Sequence, residues 1–133
     1  MFDSIDHVVI SVPDLEAGIA QYEAILGSSV SRRGEPEGAG FKNAFFDFAG
    51  NSIELVSPTN DEGPVGKHVA RTGGGMYLMA LHVDDVEATV ADLRSRDVKL
   101  IGDPGEGNPI TGQVFVHPKA AGGVLLQITK GTQ

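Results

Sequence analysis

Residues 5–20, IDHVVISVPDLEAGIA, return later in the chain as residues 76–91, MYLMALHVDDVEATVA. Val12 falls on Val83, Asp14 on Asp85, Leu15 on Val86, Glu16 on Glu87, Ala17 on Ala88, Ile19 on Val90 and Tyr22 on Leu93. The ends of the two stretches repeat as well: GNSIELV at 50–56 is answered by GGVLLQI at 122–128, with Glu54 matched to Gln127. Such a duplication implies two copies of one supersecondary unit facing each other, with any site between them. The copies differ where chemistry is expected, since His7 and Glu54 of the first are matched by Leu78 and Gln127 of the second.

At 133 residues and 41% hydrophobic content the chain is long enough for one buried core. The duplication therefore reads as two modules in a single domain, 1–133: module one over about 1–57, a linker over about 58–75, and module two over about 76–133. Cysteine is absent, which excludes disulfides and thiolate metal sites. The start lacks the basic-then-apolar pattern of a signal peptide, and no apolar run approaches the length of a membrane span. A cytoplasmic protein without a membrane partner is expected. A net charge of −8 argues against a nucleic-acid partner, because phosphate binding needs clustered Lys and Arg.

Residues 5–12 are apolar and β-branched, as in a strand. Pro13 and Asp14 then open a helix, with Asp14 as N-cap, Leu15, Ile19, Tyr22 and Leu26 as its apolar stripe, and Gly27 as its end. Residues 30–33 predict a short strand, 34–40 a loop, and 41–48 and 52–56 strands joined by a turn at Ala49, Gly50 and Asn51. The linker predicts a helix over 64–71, with Pro64 in its first turn. The second copy repeats the order: strand 76–83, helix 86–96, strand 98–101, loop 103–112, and strands 113–117 and 123–129. Each half thus reads β-α-β-β-β, an α+β pattern.

Four segments carry a resemblance: 5–27, 53–75, 82–101 and 116–128, which include the triple glycine at 73–75 and an HPK run at His117, Pro118 and Lys119. Through them the chain resembles the vicinal oxygen chelate superfamily. This superfamily takes in glyoxalase I, extradiol dioxygenases, methylmalonyl-CoA epimerases and bleomycin-resistance-type binding proteins. The similarity is greatest to the methylmalonyl-CoA epimerase branch. It implies two modules whose strands make an open, barrel-like sheet around a cleft, and a homodimer. It also implies a divalent metal held by four inward side chains at positions that here are His7, Glu54, Leu78 and Gln127.

His7 and Glu54 suit a first-row ion, Gln127 is a weak neutral donor, and Leu78 offers nothing. Either no metal is held, or Co, Ni, Zn or Mn is bound weakly through His7 and Glu54. Without a metal, His7 and Glu54 form either an acid/base dyad, in which Glu54 orients the imidazole that moves the proton, or a hydrogen-bonded pair with no catalytic part. Gln127 joins them as a candidate donor to a ligand carbonyl, or as a satisfied interior amide. Lys42, Asn43, Leu78 and His117 are candidate substrate contacts. His82 sits about 13 Å along the strand from Leu78, too far to replace it. His68, Arg32 and Arg33 read as solvated surface, and the phenylalanines mostly as core. The expected ligand is a small molecule in the cleft, either a carbonyl or acyl-thioester metabolite turned over by an isomerase or lyase, or a compound sequestered without reaction.

Overall fold

The structure, a computed structural model, describes residues 1–131, so the last two positions of the second module lie outside the described residues. The chain divides into two compact units, His7–Tyr77 and a second made of Met1–Asp6 with the chain from Leu78 on. Among the described residues no helix is long and apolar enough to cross a membrane.

In the first unit the elements run β1 (Phe2–Ser11, from His7 on), α1 (Leu15–Leu26), β2 (Arg32–Gly34), β3 (Phe41–Asp47), β4 (Ser52–Pro58) and α2 (Pro64–Thr72). The strands lie in the order β2-β3-β4-β1, antiparallel except for the parallel pair β1 and β4. Helix α1 starts where the caps place it. The Asp14 carboxylate accepts from the Ala17 N–H at 2.9 Å, and Gly27 closes the helix at φ 68°. An N-cap side chain satisfies a donor that otherwise has no partner in the first turn. We expect Asp14→Ala to cost about 1 kcal/mol of stability in urea denaturation. The β3–β4 turn forms at the expected place, with Phe48 N–H bonded to Asn51 C=O at 2.7 Å and Gly50 at φ 91°.

Strand alternation gives this sheet two distinct faces. Val12, Leu15, Ile19, Ala44, Phe46 and Leu55 form a buried cluster beneath α1, with Ile10, Tyr22, Leu26, Val30 and Ile53 packed around it. His7, Val9 and Ser11 of β1, Glu54 and Val56 of β4, and Asn43 and Phe45 of β3 belong to the opposite face.

The second unit repeats the pattern with β5 (Gly75–Val83, mostly in this unit), α3 (Val86–Ser95), β6 (Leu100–Ile101), β7 (Val114–Val116), a 3-10 turn (Pro118–Ala120) and β8 (Leu125–Thr129). Its strand order is β5-β8-β7-β6, with β5 and β8 parallel. Asp85 caps α3 as Asp14 caps α1, accepting from Ala88 N–H at 3.0 Å. Val83, Val90, Leu93, Val114, Val116 and Ile128 form its core.

The two halves share their register. His7 pairs with Ser52 and Val9 with Glu54; Leu78 pairs with Leu125 and Ala80 with Gln127. On the other side Phe45 faces Glu54, as Phe115 faces Gln127. A letter-by-letter overlay of GNSIELV on GGVLLQI would set Glu54 against Leu126; strand pairing instead equates Glu54 with Gln127 and His7 with Leu78.

Candidate active site

Glu54 sits in the middle of β4, 8% exposed, on the face away from α1. Its two oxygens have different partners. Oε2 accepts from the Asn43 amide Nδ2 at 3.0 Å, and Oε1 lies 3.5 Å from His7 Nε2. The second contact is an ion-pair distance, longer than the roughly 2.7–3.2 Å of a hydrogen bond. His7 is 4% exposed, so the pair is largely withdrawn from water. Burial pushes the Glu54 carboxyl above its ordinary value of 4.5, while the Asn43 amide, the His7 ring and the Arg32 charge pull it back.

The same row of the sheet explains Arg32. It pairs with Phe45, which in turn pairs with Glu54, so all three lie on one face. The Arg32 guanidinium stands 3.8 Å above the centre of the Phe45 ring and makes two 3.0 Å hydrogen bonds to Asp47. It retains surface exposure, but its charge reaches Glu54, a part that the reading as plain surface missed. The detectable signal was the alternation of Phe45 with its neighbours along β3. Gly34, paired with Asn43, leaves room for the amide: a Cβ there would come 2.9 Å from Asn43 Oδ1.

Of the expected site residues, His7, Glu54 and Asn43 are therefore brought together. Lys42 is exposed, and as the strand neighbour of Asn43 it points to the other face. Leu78 and Gln127 are buried in the second unit, on β5 and β8. There His117 accepts from Lys119 N–H at 3.0 Å through Nδ1, capping the 3-10 turn. His68 is not solvated surface. Its Nδ1 lies 2.7 Å from Ser11 Oγ in the interior, and its ring packs on Tyr77 at 5.0 Å. Burial first, and then the Arg71 charge, hold the His68 imidazole below its ordinary value. The missed cue was Val65, which with His68 forms the buried side of α2.

The raised Glu54 carboxyl has a pH signature. The folded state holds this proton more tightly than the unfolded chain. Stability therefore falls as pH rises from about the ordinary value of 4.5 through the higher folded value. Glu54→Gln removes that loss while retaining an acceptor for Asn43. Urea denaturation should show the variant gaining on the parent between pH 4.5 and 8; equal slopes at both ends would contradict the assignment.

Residues 6–114 match the Glyoxalase/Bleomycin resistance protein/Dioxygenase superfamily. Human mitochondrial methylmalonyl-CoA epimerase is 31% identical over 129 residues, covering 93% of this chain and 72% of that protein. The ethylmalonyl-CoA/methylmalonyl-CoA epimerase of Cereibacter sphaeroides is 30% identical over 135 residues, covering 96% and 98%. Among solved structures, methylmalonyl-CoA epimerase from Mycobacterium tuberculosis superposes with a TM-score of 0.83 at 28% identity, covering 99% of this chain and 90% of that one. A variant of the Streptomyces coelicolor methylmalonyl-CoA epimerase in complex with 2-nitronate-propionyl-CoA gives 0.83 at 30%, covering all of both chains.

Proposed function

This chain belongs to the Glyoxalase/Bleomycin resistance protein/Dioxygenase superfamily as an isomerase-type enzyme, and we propose that it epimerises an acyl-CoA thioester at C2 without a resident metal. The observation that carries this is the buried His7–Glu54–Asn43 group, in a chain whose relatives are acyl-CoA epimerases.

The donor set does not fit a tightly held divalent ion. Such an ion wants three or four imidazole or carboxylate ligands. Glu54 spends one oxygen on Asn43, and at the other two positions where the resemblance implies ligands Leu78 has no donor atom and Gln127 is a neutral amide. Among the described residues of its own unit, no third imidazole or carboxylate clusters with His7 and Glu54.

The pair itself manages the proton. Burial holds the Glu54 carboxyl above its ordinary value, and the proton is shared with His7 Nε2 once the 3.5 Å separation from Oε1 closes to hydrogen-bond distance. The C2–H bond breaks, and its electrons move toward the thioester oxygen as an enolate. The proton rests on the pair, whose N–H or carboxylic O–H then faces the developing charge. Asn43 fixes the carboxylate so that this geometry is preset. Delivery of a proton from solvent to the opposite face of C2 completes the inversion, and the pair returns its proton to solvent, so substrate and product are isomers and the enzyme ends as it began.

The test is to incubate metal-stripped protein with methylmalonyl-CoA in D2O and follow deuterium at C2 by mass spectrometry. Exchange that is unaltered by added Co2+ is expected. Exchange only with Co2+ would make the enzyme metal-dependent. Binding without exchange would make it an acyl-CoA binding protein.

A further inference from the structure

A second cluster of donors lies wholly within the second unit, and the chemistry proposed above does not use it. Asp3 comes from β1, His82 from β5, and Asp84 from the turn that precedes α3. One ligand atom from each falls within 4.8 Å of the other two. His82 Nδ1 lies 2.8 Å from Asp3 Oδ1.

We propose that Asp3, His82 and Asp84 form a surface site for a hydrated divalent transition ion such as Zn2+ or Co2+. One imidazole with two carboxylates is a donor set that such ions accept, the remaining positions being filled by water. With metal–ligand bonds of about 2.0–2.2 Å, donor atoms around one ion stand roughly 3–3.5 Å apart. The Asp3–His82 contact opens slightly to reach that spacing, and the wider separations close by rotation of exposed carboxylates.

The arrangement of these side chains favours positive charge at this point. The hydrogen bond to Asp3, then its charge, then Asp84 and the Lys130 backbone hold the His82 imidazole above its ordinary value, against some opposing burial. The bond to His82 in turn holds the Asp3 carboxyl below its own. A divalent ion takes the place of the Nδ1 proton and releases it to solvent. It joins the start of β1 to the end of β5 and the α3 turn, so it stabilises the fold by mass action. This inference is independent of the proposed reaction, since it uses neither His7 nor Glu54.

Calorimetric titration of the untagged, metal-stripped full chain with Zn2+ and Co2+ tests it. Two buffers of different ionisation enthalpy read proton release, and His82→Gln, Asp84→Asn and His7→Ala are run beside the parent. One ion per chain is expected, with release of protons. Asp84→Asn should weaken it by about tenfold or more, no less than is typical for loss of an outer-shell partner. His82→Gln should weaken it further, and His7→Ala should leave it unchanged. Asp84→Asn is an exposed, isosteric change, so it decides the matter even if His82→Gln fails to fold. No binding, binding that survives Asp84→Asn, or binding lost in His7→Ala overturns the site.

Discussion

His7→Ala should lower the rate of C2 proton exchange by about 10²- to 10⁴-fold, the usual contribution of a positioned acid–base group. Binding of the acyl-CoA should change far less, because the loss falls on the step in which the proton moves. Glu54→Ala should lose a similar factor, and the double variant little more than either single one, since in the proposed reaction the two neighbouring residues handle one proton. The single-turnover rate and the thioester affinity, measured separately, provide the check. A fall of less than tenfold in His7→Ala would sink the dyad. A loss confined to affinity would make His7 a binding group.

The largest effect on stability should come from Phe46→Ala, at about 3–5 kcal/mol. Phe46 is 2% exposed, lies among Val12, Leu15, Ile19, Ala44 and Leu55, and has its ring 6.2 Å from that of Tyr22. Removing it leaves a cavity beneath α1 that the rigid strands cannot fill. Phe48, just past the end of β3 and 48% exposed, provides the contrast: Phe48→Ala should stay within about 0.5 kcal/mol. Urea unfolding of the two variants side by side tests the pair, and equal losses would contradict the difference in burial.

These two phenylalanines mark where sequence reading stops. Both belong to one aromatic run, and both have the parity of the helix-covered face. Strand length separates them, because β3 ends at Asp47 and Phe48 falls in the turn. Phe45, just before Phe46, turns to the site face and carries the Arg32 guanidinium. Composition ranks all three alike; only the pairing of β3 with β2 and β4 distinguishes them. Asn43 shows the same limit from the other side. It is a candidate site residue from the sequence, but its amide finds Glu54 only because β3 and β4 pair antiparallel across their turn.

His68 makes the point most plainly. A histidine in a short, polar, glycine-flanked linker resembles surface, yet it is buried against Ser11 of β1 and the ring of Tyr77. No local pattern announces that contact, because it depends on α2 lying over strands that are distant in the chain.

The sequence by itself determined the order of elements, the Asp14 cap, the Gly27 stop, the Asn51 turn, and the replacement of His7 and Glu54 by Leu78 and Gln127 in the second copy. Caps, turns and apolar periodicity act over a few neighbouring residues, so they are written locally. The tertiary structure alone decided that Glu54 divides its oxygens between Asn43 and His7, that Arg32 reaches it across Phe45, and that Asp3 meets His82. Each of these depends on strand register and on the face a side chain takes, which are set where segments remote in sequence bury their apolar sides together.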